Sequence, residues 1–257
     1  MRAGVRRMLV LAVRRRDRGD YRGAGRLLRL ALAHAEHRYG RHGLPAVDVL
    51  GELGVLHKLT GRLGEAKTCY RRALRGLRAR RRPDLDRFAT LLHNVGGVAH
   101  AQGRHATGEP AARRAVEIRA ARHGADHPAT AADRAAWAAL LDGCGRTGQA
   151  AAQLERALRA LRDPVEIAFV THNLAAVRHR LGDLGGAAAG YERALGLKER
   201  LLGPDHPQLA ATLVGLGGAR KRPEYYERAI AVLERVVDPR HPTLAAARRG
   251  LIALRQP

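Results

Sequence analysis

Aromatic side chains are scarce in this 257-residue chain: one Trp, two Phe and six Tyr, 4% in all. β-branched residues are sparse as well, and Leu, Ala and Arg dominate. That balance disfavours a β-sandwich or barrel and favours helix. Only two cysteines occur, Cys69 and Cys144. Two thiols make neither a disulfide framework nor a zinc site, so they read as reduced and mostly buried residues. No apolar run approaches the roughly 18–20 residues needed to cross a bilayer. The opening MRAGVRRMLVLAVRRRD has the basic-then-apolar order of a signal peptide. Its apolar stretch, Met8 to Val13, is too short, runs into Arg14-Arg15-Arg16 and has no small-residue cleavage site after it. A cytoplasmic chain without membrane association is expected.

Lysine is almost missing too. Of 47 basic residues 43 are Arg, and Lys stands only at Lys58, Lys67, Lys198 and Lys221. Beside abundant Ala and Gly, such a skew is what the codon bias of a GC-rich bacterial coding sequence produces. The net charge of +23 is therefore a weak clue to function. It means that acidic partners are tolerated, not that they are required. Hydrophobic residues at 46% and charged residues at 28% fit a folded chain. The length allows one elongated array or one to two globules.

What the sequence does contain is a repeat. A glycine recurs every 42 residues at Gly19, Gly61, Gly103 and Gly145, and again after 37 residues at Gly182. Twelve residues beyond each stands an alanine: Ala31, Ala73, Ala115, Ala157 and Ala194. Eight residues before each stands a large apolar residue (Leu11, Leu53, Val95, Trp137, Leu174) with a small one directly after it. Each unit reads as a helical hairpin. Pro45, Pro83, Pro128, Pro164, Pro207 and Pro242 precede apolar-periodic stretches, as first-turn prolines do. The stretch stops at the glycine, where a left-handed residue closes a helix cheaply. A second stretch follows, for example Leu63, Ala66, Tyr70, Ala73 and Leu74. Small residues such as Gly54 and Ala73 let the two helices approach, and neighbouring hairpins must stack to bury their apolar faces.

These units resemble the tetratricopeptide repeat, in the 42-residue variant of kinesin light chains. The linker phrases HGADHP (123–128), LGPDHP (202–207) and DPRHP (238–242) and the turn phrases GRLGEA (61–66) and GDLGGA (182–187) carry the likeness across essentially the whole chain. The resemblance implies an all-α superhelix of six hairpins, 1–42, 44–82, 83–127, 128–163, 164–206 and 207–241, with a capping helix over 242–257. The sixth hairpin is expected to be short, since seven residues are missing and Arg222-Pro223 occupies a turn where glycine is expected.

No Walker loop, GxGxxG, HExxH or GxSxG motif occurs, and the register brings no pair of carboxylates together. The chain is not expected to be an enzyme, nor to hold a metal or cofactor. His127, His206 and His241 precede helix-starting prolines and read as linker packing. Asp126 and Asp205 read as turn or cap residues. The run RRALRGLRARRR (71–82) reads as a solvated outer face. Dispersed arginines with few aromatics make specific nucleic-acid recognition an unfavoured alternative, while unspecific phosphate attraction stays open. A detached sensor module of a bacterial signalling or transcription regulator is a third class.

In a stacked array the first helix of each hairpin lines the binding side. Its rows, counted from the turn glycine, hold His93 and His172; then Val55, Gly97, Ala139 and Ala176; then Lys58, His100, Asp142 and His179. The sixth unit would continue them as Val214, Gly218 and Lys221. Asn94 and Asn173 match a family position whose amide holds bound peptide backbone, so the resemblance implies that role for them. Lys58, His93, Asn94, His100, His172, Asn173, His179, Arg180 and Lys221 are the candidate binding residues. The expected partner is an extended, acidic peptide segment of another protein. Small first-helix residues that serve helix packing alone are the competing explanation.

Overall fold

The computed structural model describes residues 2–234 and 241–255. All regular structure among them is helical: α1 (Arg2–Asp17), α2 (Tyr21–Tyr39), α3 (Leu44–Leu59), α4 (Leu63–Arg78), α5 (Leu85–Ala101), α6 (His105–His123), α7 (Pro128–Gly143), α8 (Thr147–Ala160), α9 (Pro164–Arg180), α10 (Leu184–Leu202), a 3₁₀ turn (Pro207–Leu209), α11 (Ala210–Arg220), α12 (Pro223–Glu234) and α13 (Pro242–Arg255). The expected all-α architecture of stacked hairpins is what the chain adopts. Contacts group it into two compact units, Met1–His123 and Gly124–Pro257. The first three residues of the DPRHP phrase and the last two of the capping segment lie outside the described residues.

Local chemistry starts and stops these helices. Gly19, Gly61, Gly103, Gly145 and Gly182 all have φ between +68° and +83°, a conformation that costs glycine no Cβ clash. In the sixth turn Lys221 takes that place with φ +53°, its N–H donating to the Gly217 carbonyl. Helix starts are closed by side chains. Asp20, Asp84, Asp163 and Asp183 accept backbone N–H bonds of 2.7–3.0 Å from Gly23, Arg87, Val165 and Gly186. In the linker phrases the cap is histidine and not the preceding aspartate. His127 Nδ1 accepts from Ala129 N at 3.1 Å and His206 Nδ1 from Gln208 N at 3.2 Å. Asp126 and Asp205 are exposed. Pro83 sits outside α5, one residue before its cap.

In each unit the two helices of a hairpin pack antiparallel, and each second helix packs on the next first helix. The alanines twelve residues beyond the turn glycines, Ala31, Ala73, Ala115, Ala157 and Ala194, are all at 0% exposure, and so is Ala229 in the shortened sixth hairpin, so this spacing marks a close helix contact. Tyrosines fill the gaps that glycines leave. A β-carbon on Gly54 would collide with the Tyr70 ring, and one on Gly215 with Tyr191. Tyr226 lies against both Gly217 and Gly250, which ties α13 to the last hairpin together with buried Leu244 and Ala247. That hairpin is short, as expected, with helices of 11 and 12 residues.

Candidate functional site

Within each unit the first helices touch one another, α1–α3 and α3–α5 in one, α7–α9 and α9–α11 in the other. No such contact joins α2 to α4, α4 to α6, α8 to α10 or α10 to α12 among the described residues. The first helices therefore form the crowded inner row of each stack, and the candidate residues can be placed on it.

In unit Met1–His123 a cleft of about 360 Å³ is walled by α1, α3 and α5 alone. Leu9, Val47, Val55 and Leu91 give it apolar surface, and half-buried Asn94 and exposed Thr90 give it uncharged polar groups. Its charged residues are already matched. Arg87 holds Asp48 through bonds of 2.6 and 3.2 Å, Arg16 holds Glu52 at 2.5 Å, and Asp86 meets His123 and Arg122 at 2.6 and 3.0 Å. The His123 ring and Arg122 guanidinium keep the Asp86 carboxyl below the usual carboxylate range. His93 is half-buried in α5 beside Asn94. His100 is exposed and stacks at 5.1 Å on His105 across the α5–α6 turn. Lys58 is exposed, and its Nζ lies 2.8 Å from where a β-carbon of Gly97 would stand.

In unit Gly124–Pro257 the candidates separate. Asn173 is exposed on α9. His179 lies over Gly218 of α11, its ring carbon 3.0 Å from a notional β-carbon, so, as with Lys58 over Gly97, a side chain of one hairpin covers the glycine of the next. Arg180 is not a spare cation: it grips Asp142 of α7 with bonds of 3.1 and 2.5 Å. Lys221 leaves the helical row altogether, because it is the left-handed turn residue. His172 turns inward. Its Nδ1 is 3.1 Å from Thr212 Oγ1, its ring meets Tyr191 edge-on at 5.5 Å, and burial followed by the neighbouring Lys198 charge pulls its pKa down to about 4.

Three residues, Lys198, Phe169 and Val165, escaped the sequence reading. Lys198 is only 6% exposed; its Nζ donates to Thr212 Oγ1 at 2.8 Å and stands 5.3 Å from the centre of the Phe169 ring. Burial lowers its pKa. The signal was present: Lys198 is four residues beyond Ala194, where the other units carry Ala35, Leu77, Arg119, Leu161 and Leu233. Four of those five are buried apolar residues, so a lysine there had to be buried as well. Phe169 and Val165, 50% and 47% exposed, form an apolar strip one and two turns before Asn173 on α9.

A family model described as tetratricopeptide repeat matches residues 87–163 and 166–222, and a second of the same description matches 47–75. The chain belongs to the tetratricopeptide-repeat family. No curated protein sequence matches it significantly. Among solved structures it is similar to BtubC (BKLC) from P. vanneervenii, with 21% identity over 97% of this chain and 92% of that one and a TM-score of 0.63. It is also similar to the nearly identical TPR-like repeats of a Podosopora anserina protein assigned as a kinesin light chain (18%, 81% and 96%, TM-score 0.57). A third likeness is to PilW, a widely conserved type IV pilus biogenesis factor (16%, 95% and 98%, TM-score 0.68). At these identities the likeness establishes the fold.

Tetratricopeptide-repeat proteins generally mediate protein–protein interactions. The inner row of this member carries the Asn94 and Asn173 amides, the apolar residues of the α1–α3–α5 cleft and of α9, and Lys58. Among the described residues no group of three or more His, Cys, Asp or Glu is arranged to hold a metal ion, and no helix is long and apolar enough to cross a membrane.

Proposed function

We propose that this tetratricopeptide-repeat protein is a scaffold that holds an extended segment of a partner protein against its first helices. The cleft walled by α1, α3 and α5, with the Asn94 amide in it, is the observation that carries this reading. An extended peptide offers N–H and C=O groups in alternation, and one amide side chain serves both. Leu9, Val55 and Leu91 would receive its apolar side chains, while Lys58 and His100 would draw an acidic one. In the second unit Asn173 would take the same part beside Phe169, with His179 at the rim. Arg180 can attract a carboxylate only in competition with Asp142. Binding spread over such contacts is expected to be roughly micromolar, because an ordered peptide gives up its freedom.

The test is to select peptides from a displayed library on the immobilised protein. The best binder is then measured against Asn94→Ala, Asn173→Ala and the second-helix control Arg113→Ala/Arg114→Ala. Loss of one backbone clamp should weaken binding by about tenfold, the size of one good hydrogen bond. If only the control pair weakens binding, the inner row is not the site; if no variant does, the asparagines serve packing.

A further inference from the structure

A second feature of unit Met1–His123 lies where α2 and α4 end. Gly76 of α4 has no side chain, so the α2–α3 link packs directly on it: a β-carbon there would stand 2.9 Å from Val47 Cγ2 and 3.5 Å from His42 Cα. This close approach sets the α2–α3 link beside the α4–α5 link. Between them opens a cleft of about 760 Å³, lined by Tyr39 to Gly43 and by Ala79 to Arg82. Arg41, Arg80, Arg81 and Arg82 all face it and no carboxylate does.

Elsewhere in this unit Arg16 is matched by Glu52, Arg72 by Glu36 and Arg87 by Asp48, while Arg6, Arg7 and Arg14 line a smaller cleft on α1 without an ion pair among the described residues. Here four guanidiniums share one space without an ion pair among the described residues. The ends of α2 and α4 offset part of that charge, roughly half a negative charge each. About three positive charges stay unbalanced, and like charges held together repel unless an anion enters.

We propose that this cleft binds a compact oligophosphate, either free or as the phosphate chain of a nucleotide. A triphosphate carries about the missing charge, and guanidinium forks match phosphate oxygens in pairs. A single carboxylate would leave most of the excess unbalanced. Of the two rings in the lining, Tyr39 is half-buried with its hydroxyl shielded and His42 is a single exposed imidazole, so there is no row of open ring faces for stacking successive bases. That favours a compact anion over a nucleic-acid strand. The site is independent of the peptide cleft, which shares none of its residues.

Calorimetric titration of the whole protein with inorganic tripolyphosphate, with a nucleoside triphosphate and with a single-stranded RNA tests the proposal. Expected are one tripolyphosphate per chain, competition by the nucleoside triphosphate, and a loss of roughly tenfold or more in Arg80→Gln/Arg82→Gln, each lost fork being a charge-assisted contact. Arg6→Gln/Arg7→Gln removes the same charge from α1 and should change affinity by less than about twofold, since neither residue lines the cleft and exposed charges are screened by salt. Equal losses in both double variants would mean diffuse attraction and overturn the site, as would the absence of tripolyphosphate binding. RNA that binds more tightly than tripolyphosphate and loses that binding in the Arg80/Arg82 variant would overturn the compact ligand.

Discussion

Lys198 Nζ donates a 2.8 Å hydrogen bond to Thr212 Oγ1, and the same hydroxyl faces His172 Nδ1 at 3.1 Å. An ammonium only donates, so the hydroxyl accepts from Lys198; burial keeps the His172 imidazole neutral, and the tautomer with its proton on Nε2 lets Nδ1 accept the hydroxyl proton. A buried ammonium whose hydrogen bond goes to a neutral hydroxyl, with no ion pair among the described residues, is nevertheless costly. Lys198→Met should therefore raise stability, by about 1–3 kcal/mol on the scale of buried charges replaced by apolar groups. Thr212→Val should lower it by about 1–3 kcal/mol, because it strands both partners. Urea unfolding checks both, and a loss of stability in Lys198→Met would mean that the ammonium has a stronger anchor than Thr212.

The pH dependence follows from His172. Its pKa is about 4 in the folded chain, against an ordinary 6.5 when unfolded. The unfolded chain thus takes up the proton first as pH falls. Stability from this group is complete above pH 6.5 and is lost progressively toward pH 4, by up to about 3 kcal/mol. His172→Gln should flatten the unfolding midpoint across that window.

Two glycines on first helices should respond in opposite directions. At Gly97 a methyl meets only the end of the flexible Lys58 chain, which can swing into water. Gly97→Ala is expected to gain about 0.5–1 kcal/mol from helix propensity. At Gly54 the same methyl meets the rigid, buried Tyr70 ring, so Gly54→Ala should cost about 1–3 kcal/mol as overpacking. Thermal unfolding of the two variants side by side is the check.

Lys221 carries a left-handed backbone without being glycine. Lys221→Gly relieves about 1–2 kcal/mol of strain and gives back roughly 0.5–1 kcal/mol in chain entropy. A modest net gain in stability is expected. Gly61→Ala, at φ +74°, is the mirror experiment and should lose stability.

Removing 242–257 strips Gly250 from the Tyr226 ring and takes away buried Leu244 and Ala247. The truncated protein should unfold at lower temperature and lose solubility, since an apolar end of a stack is left open. An unchanged unfolding midpoint would show that α13 does not protect the last hairpin.

Much of this protein was legible because its rules act over short distances along the chain. The left-handed turn at Gly61 and the crossing at Ala73 lie within one hairpin, and backbone conformation and helix period dictate both. The all-α class and the short sixth hairpin follow from the same local arithmetic. Legibility failed where a side chain reaches a neighbouring hairpin of the same unit. Gly97 reads as open floor for a ligand until Lys58, 39 residues earlier, is found above it. Arg180 reads as a free cation until Asp142 of α7 is found gripping it.

The sequence by itself therefore determined the helices, their turns and the register in which hairpins repeat, since each depends on φ preferences and apolar spacing within about forty residues. Tertiary structure alone decided which polar groups stay available. Long side chains such as Lys58, Arg180 and Lys198 span the gap between neighbouring helices, and charge pairing and burial select their partners there. That is why His172 sinks into a neutral relay while Asn173, the next residue on the same helix, stays exposed.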